Sequence, residues 1–166
     1  MMIISFKDLN GIQVDLSFEK NTFSIEARHV LVLAKHQKKW LLTKHPKRGL
    51  EFPGGKVEGN ESILEAAIRE TWEETNVEII NVEWLAEYLV HDEKPFCKAV
   101  FIAEVGYIEE KRPNFETDGA LWLSTDDFLH NNNNNNNLSF HMRDAGMKAI
   151  LEKVSALEGK WNNREN

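Results

Sequence analysis

The chain has 166 residues, 42% hydrophobic and 28% charged, with a formal net charge of −7. That length fits one domain over 1–166, and that composition builds a globular core while being too polar for a membrane protein. The excess of acid excludes a non-specific grip on nucleic-acid backbone, although divalent cations can still bring a polyphosphate to an acidic protein.

No apolar run approaches the roughly 20 residues of a spanning helix. The opening MMIISFKDLNG has no basic region followed by a long apolar block, so no secretory signal is expected. Cys97 is the sole cysteine, which rules out an intrachain disulfide and a cysteine zinc site. The expected compartment is the cytoplasm.

Residues 12–18, IQVDLSF, alternate apolar and polar as a half-buried strand does. HVLVLA (29–34) and WLLT (40–43) flank a turn over Lys35 to Lys39 and predict a hairpin. KHPKRGLEFPGGKVEGN reads as a long loop punctuated by proline and glycine. A helix is expected to start near Asn60 or Glu61, with Asn60 as its N-cap. Leu64, Ala67, Ile68 and Thr71 recur at core-facing spacing, and Asn76 fits the left-handed end of the helix. Strands follow at 77–80, 82–91, 98–105 and 120–124, then a second helix over 141–159 with a stripe of Met147, Ile150, Leu151 and Val154. Strands, helix, strands, helix predict a mixed sheet covered by helices, an α/β layered fold. The seven asparagines at 131–137 form a biased tract that reads as a loop.

The informative stretch is GGKVEGNESILEAAIRETWEETNV, Gly54 to Val77. Residues three or four apart share a helix face, so Glu70, Glu73 and Glu74 are expected in one sector, away from the Leu64, Ala67 and Ile68 stripe. Like charges at these spacings cost about 0.2–0.5 kcal/mol per pair on an exposed helix. A hard divalent cation taking oxygen ligands removes that repulsion, and Mg²⁺ usually shares such a site with substrate phosphates. Arg69, four residues before Glu73, is placed to pair with it. The competing reading is a solvated acidic helix face.

The flanking spacing decides between the two. Gly55, Glu61, Arg69-Glu70, Glu73-Glu74 and Val77 follow the pattern G-x5-E-x7-R-E-U-x-E-E-x-G-U, where U is aliphatic. This resembles the signature of the Nudix hydrolases. Two places depart from it: Thr71 stands at an aliphatic position and Asn76 replaces the glycine. Thr71 can still pack its methyl, and Asn76 can take the glycine's backbone conformation. LEFPGGK (50–56) resembles the approach to the box in MutT-type nucleoside triphosphate pyrophosphohydrolases. RGLEFPGGKVE, FETDG and LSFHMRD together look like the Bacillus-type members described as 8-oxo-dGTP diphosphatases.

The resemblance implies a Nudix α/β/α sandwich with a central mixed sheet, and Mg²⁺ or Mn²⁺ as cofactor. It implies Glu70, Glu73 and Glu74 as metal ligands with the Gly54 carbonyl, Arg69 holding the carboxylates, and Glu61 tying loop to helix. An extra glutamate in this family commonly lies six residues before a tryptophan; here that is Glu116 before Trp122, with Asp118 competing. It acts as a further ligand or as the base. The implied substrate is a nucleoside triphosphate, attacked at the β-phosphorus to release monophosphate and pyrophosphate. Two alternatives stand beside it: removal of pyrophosphate from RNA 5′ ends, and a catalytically silent nucleotide-binding module. Trp84, Tyr88, Phe96, Phe115 and Trp122 are candidates for stacking on a base, with core packing the commoner fate. Lys44, Lys47, Arg48 and Lys56 are candidates for phosphate contacts, and His91 for facing the substrate.

Overall fold

The computed structural model describes residues 2–109, 119–128 and 138–157. Among them lie β1 (Ile3–Lys7), β2 (Gln13–Ser17), β3 (Ala27–His36), β4 (Lys39–His45), β5 (Gly49–Glu51) and β6 (Gly54–Lys56). Then come α1 (Ile63–Thr75), β7 (Val77–Val90), β8 (Phe96–Ile108), β9 (Ala120–Ser124), a 3₁₀ turn (Phe140–Met142) and α2 (Ala145–Ala156). The strands form one sheet in the order β1-β2-β7-β8-β3-β4-β5, with β6 on β3 and β9 on β4. β3 and β8 run parallel and the other pairs antiparallel, so the sheet is mixed as expected.

The near-continuous apolar run of β3 is explained by burial on both faces. Val30, Val32 and Ala34 pack with Ala99, Phe101 and Ala103 of β8 under α1, against Ala66 and Ala67. Leu31 and Leu33 pack with Val100 and Ile102 on the opposite face, under Met147, Ile150, Leu151 and Val154 of α2. The result is an α/β sandwich. No helix among the described residues is long and apolar enough to cross a membrane.

The β3–β4 hairpin closes through Gln37 and Lys38, both with positive φ (50° and 65°), the geometry that two-residue hairpins require. The loop expected over residues 44–60 is more regular than its composition suggests. β5 pairs with β4 and β6 with β3. Between them Phe52 is buried edge-on to Trp40 and stacked on Phe128. Pro53 O accepts from the Val32 N–H at 2.9 Å, pinning the glycine pair to the sheet.

α1 starts later than expected. Its N-cap is Ser62, whose side chain accepts from Glu65 N while Glu65 reaches back to Ser62 N, a reciprocal capping box worth about 1 kcal/mol. Its buried face is Ala66, Ala67, Glu70, Thr71, Glu74 and Thr75, whereas Leu64 and Ile68 are exposed (44% and 37%). Ala67 and Thr71 of the expected stripe are buried, so the buried face is turned from it by about 60°. Small side chains let α1 settle close on the sheet, and carboxylates rather than leucines turn inward. Thr71 is fully buried and spends its hydroxyl on Ala67 O at 2.8 Å; Asn76 caps the helix in the left-handed region (φ 61°), as expected. The two strands expected at 77–80 and 82–91 are one strand, β7, bulged around Asn81 (φ 50°). β1 had no alternation strong enough to be foreseen.

Candidate active site

α1 lays Glu70 and Glu74 against the Gly54–Gly55 strand β6. Glu74 Oε1 accepts the Gly54 N–H at 3.1 Å, and both glutamates are buried. Gly55 is a glycine for a local reason: a Cβ there would stand 2.4 Å from the Glu70 carboxyl carbon and 2.5 Å from its Oε1. Gly54 is equally constrained, since its Cβ would meet the Val30 carbonyl oxygen at 2.2 Å. Glu73 projects further out, with 42% of its side chain exposed.

Arg69 organises this cluster. Its Nε and Nη2 donate to the two oxygens of Glu61 at 2.7 and 2.9 Å. Nη2 also donates to the Lys56 carbonyl at 3.0 Å, and Nη1 to Glu70 Oε1 at 3.0 Å and Glu73 Oε2 at 3.1 Å. The guanidinium fork suits this divided duty, which an ammonium cannot reproduce. The hydrogen bonds from Arg69 push the Glu61 carboxyl down to about 2, and Glu61 pushes the guanidinium up. Glu61 also accepts from Glu58 N at 3.1 Å, so it ties the loop to the helix.

The donor chemistry suits a hard divalent cation: Glu70, Glu73 and Glu74 offer only carboxylate oxygens, and the missing Cβ of Gly55 leaves room at the Glu70 carboxylate. Among the described residues, though, no three His, Cys, Asp or Glu side chains gather closely enough to hold a metal ion in the arrangement seen. The single sector expected for the three glutamates is instead divided. Arg69 draws Glu70 and Glu73, while Glu74 turns to Gly54. Glu116 and its competitor Asp118, with Phe115 and the asparagine tract, lie outside the described residues.

Beside the glycine pair opens a cavity of about 130 Å³ lined by His29, Arg48, Glu51, Phe52, Lys98 and His141 with Gly54 and Gly55. Register builds it: His29 and Lys98 are partners on the parallel strands β3 and β8, on the same sheet face as Leu31 and Val100. Ser139 N donates to Leu50 O at 2.8 Å and Phe52 N to Met142 Sδ at 3.4 Å, which brings the 3₁₀ turn and His141 over the opening. Burial and the nearby Lys98 charge push the His29 and His141 imidazoles down to about 4, so both are neutral at pH 7. Burial alone would raise the Glu51 carboxyl, but the bidentate Arg48 bonds at 2.8 and 3.1 Å outweigh it and keep it low.

Of the basic candidates, Arg48 lines the cavity, while Lys56 lends only its carbonyl to Arg69. His91 faces Asp15 at 2.8 Å rather than the site. Trp84 bonds Glu87 and Trp122 packs on His36, whereas Tyr88 and Phe96 line a smaller chamber that shares Lys98, His141 and Met142 with the cavity's lining. Lys98, His29, Glu51 and His141 escaped the sequence reading. Lys98 alone had a usable signal, a cation at the head of the apolar run KAVFIAEV, two residues before the buried Val100 on the same face.

Known proteins resemble this chain in sequence and in fold. Residues 24–143 match the family described as the NUDIX domain. YtkD of Bacillus subtilis (strain 168), whose name makes it a candidate 8-oxo-dGTP diphosphatase, is 38% identical over 157 residues, covering 94% of this chain and 97% of YtkD. The phosphatase NudJ of Escherichia coli (strain K12) is 30% identical over 80 residues, 46% of this chain and 52% of NudJ. Among solved structures, a mutant of the Bacillus subtilis pyrophosphohydrolase BsRppH superposes with a TM-score of 0.83 at 36% identity, covering 92% of this chain and 96% of that one. Matched by the family over most of its length and by relatives of its own size, the chain belongs to the Nudix hydrolases, enzymes that act on phosphoric anhydride bonds and generally need divalent metal ions.

Proposed function

We propose that this hydrolase cuts nucleoside triphosphates, 8-oxo-dGTP among them, to a nucleoside monophosphate and pyrophosphate with Mg²⁺ or Mn²⁺. The observation that carries the reading is the juxtaposition of the Arg69-organised glutamates with a cavity lined by Arg48 and Lys98 across Gly54–Gly55. Glu70, Glu73 and Glu74, with the Gly54 carbonyl, would hold the metal. A divalent cation bound there supplies charge neutralisation at the phosphates and a lower pKa for the attacking water. Arg48 and Lys98 attract the phosphate oxygens, Arg69 positions Glu70 and Glu73, and Glu116 serves as further ligand or base. The name of YtkD supports the oxidised nucleotide as substrate.

Removal of pyrophosphate from RNA 5′ ends is the second reading. It uses the same chemistry, and the pyrophosphohydrolase BsRppH supports it. Against it, the cations lining the cavity among the described residues are few. Purified protein given dGTP, 8-oxo-dGTP or a triphosphorylated oligonucleotide with either metal separates the readings. Pyrophosphate from the free nucleotides upholds the first; pyrophosphate from the oligonucleotide alone replaces it with the second.

Arg69→Lys is expected to keep the fold and lower kcat/KM by about 10- to 100-fold, the usual cost of losing a group that orients metal-binding side chains. A thermal melt beside the kinetics checks it; unchanged kinetics would remove Arg69 from the positioning role.

A further inference from the structure

Leu64, Ile68 and Trp72 stand four residues apart along one ridge of α1. The fold does not bury that ridge. Leu64 and Ile68 are exposed, Trp72 is half-buried, and α2 lies across the sheet on its other face. Beside the ridge, between α1 and the start of β7, opens a groove of about 470 Å³ lined by Ile68, Trp72, Glu61, Glu65, Arg69 and Glu78. A helix that packs one face on a sheet ordinarily turns polar side chains to water on the other. Here the outer face carries a leucine, an isoleucine and a tryptophan, and a contiguous apolar patch with a polar rim marks an interaction surface.

Charge says what fits it. The groove holds three carboxylates, Glu61, Glu65 and Glu78, and one guanidinium. Arg69 already donates to Glu61, Glu70 and Glu73, so it offers little to an arriving anion. Glu65 and Glu78 are exposed at the rim. Glu65 Oε1 accepts from Ser62 N in the capping box, and a carboxylate has about four acceptor positions, so capacity remains. An apolar floor with an acidic rim selects an occupant whose apolar side chains are flanked by lysine or arginine. A second copy of this chain does not meet that condition, because a twofold contact through this face sets one acidic rim against the other.

We propose that the groove docks a basic amphipathic helix of a partner protein. The partner's apolar stripe packs along Leu64, Ile68 and Trp72, and its lysines or arginines meet Glu65 and Glu78. Helix-in-groove recognition uses anchors three and four residues apart, and the four-residue ridge of α1 is the matching surface. Glu61 and Arg69 belong to the groove and to the glutamate cluster alike, so the docked helix borders the arginine that holds Glu70 and Glu73. The inference does not depend on which anhydride is cut, and the binding is read without turnover.

The probe is a fluorescent synthetic peptide with leucine and lysine at amphipathic helical spacing, titrated with the full chain and followed by anisotropy. Its counterpart carries glutamate in place of lysine. Wild type is expected to bind the lysine peptide and not the glutamate peptide. Ile68→Glu is expected to weaken binding by about tenfold or more, the loss of one central apolar anchor. That substitution adds a negative charge, so a general attraction of cations to an acidic protein would strengthen binding instead. Glu78→Lys is expected to weaken it by about two- to fivefold, the scale of one exposed ion pair. Glu93→Lys, exposed beyond the far end of β7, makes the same change in net charge and is expected to leave binding unaltered. Thermal melts check that each variant is folded. No binding by wild type, or binding that Ile68→Glu leaves unchanged or strengthens, overturns the proposal. Displacement of the peptide by an equal concentration of spermidine makes the groove a small-cation site and overturns it too. A wild-type dimer in sedimentation that Ile68→Glu dissociates gives the face to a second copy, with the same consequence.

Discussion

Glu74→Gln lowers kcat by on the order of 10²–10³-fold and leaves the fold intact, on the scale of losing one preorganised electrostatic group at a reacting centre. Glu74 is buried and anchors the Gly54 N–H through Oε1. Glutamine retains that acceptor, so the glycine strand stays on the helix. What disappears is a negative charge facing the metal side of the site. Removing an anion from an acidic cluster relieves repulsion, so the melting temperature holds or rises. Loss of activity with loss of stability would point to a structural role; activity within about threefold of wild type would remove Glu74 from the ligands.

The glycine pair gives the second large effect, and its two members fail differently. At Gly55 a Cβ meets the end of the flexible Glu70 side chain, which can swing away. Gly55→Ala is therefore expected to fold and to lose about 10²-fold or more in kcat/KM, because a displacement of about 1 Å at a catalytic group costs that much. At Gly54 the obstacle is the Val30 carbonyl, part of the β3 backbone paired with β6. Backbone cannot yield without parting those strands, so Gly54→Ala costs about 1–3 kcal/mol of overpacking. At about 2–4 °C per kcal/mol for a chain of this size, a melt resolves it. Identical behaviour of the two variants would contradict the assigned contacts.

The helix and its arginine cluster were legible because their spacing follows a family pattern: Arg69 takes Glu61, Glu70 and Glu73 as hydrogen-bond partners, and Glu74 lies one residue beyond. Asn76 was legible for a backbone reason, the left-handed end of a helix. The orientation of α1 was not. Leu64 and Ile68 carry the hydrophobic periodicity, yet Ala66 and Ala67 face the sheet, since close approach matters more there than apolar bulk. The cavity was hidden for another reason. His29, Lys98 and His141 come from two parallel strands and a distant turn, and only the register of β3 on β8 and the Phe52–Met142 contact bring them together. Long-range pairing of this kind leaves no local mark. The strand β6 was concealed by its glycines, which signal loops in sequence but here permit close approach to Glu70 and Val30.

Direct binding of Mn²⁺, followed by loss of the free aquo-ion's electron paramagnetic resonance signal, tests the central claim that this helix is a metal platform. The account predicts that the wild-type protein takes up Mn²⁺, that Glu74→Gln weakens uptake at least about tenfold, and that chelation stops pyrophosphate release. Equal Mn²⁺ binding by wild type and Glu74→Gln, or pyrophosphate release that persists in chelator, would contradict it.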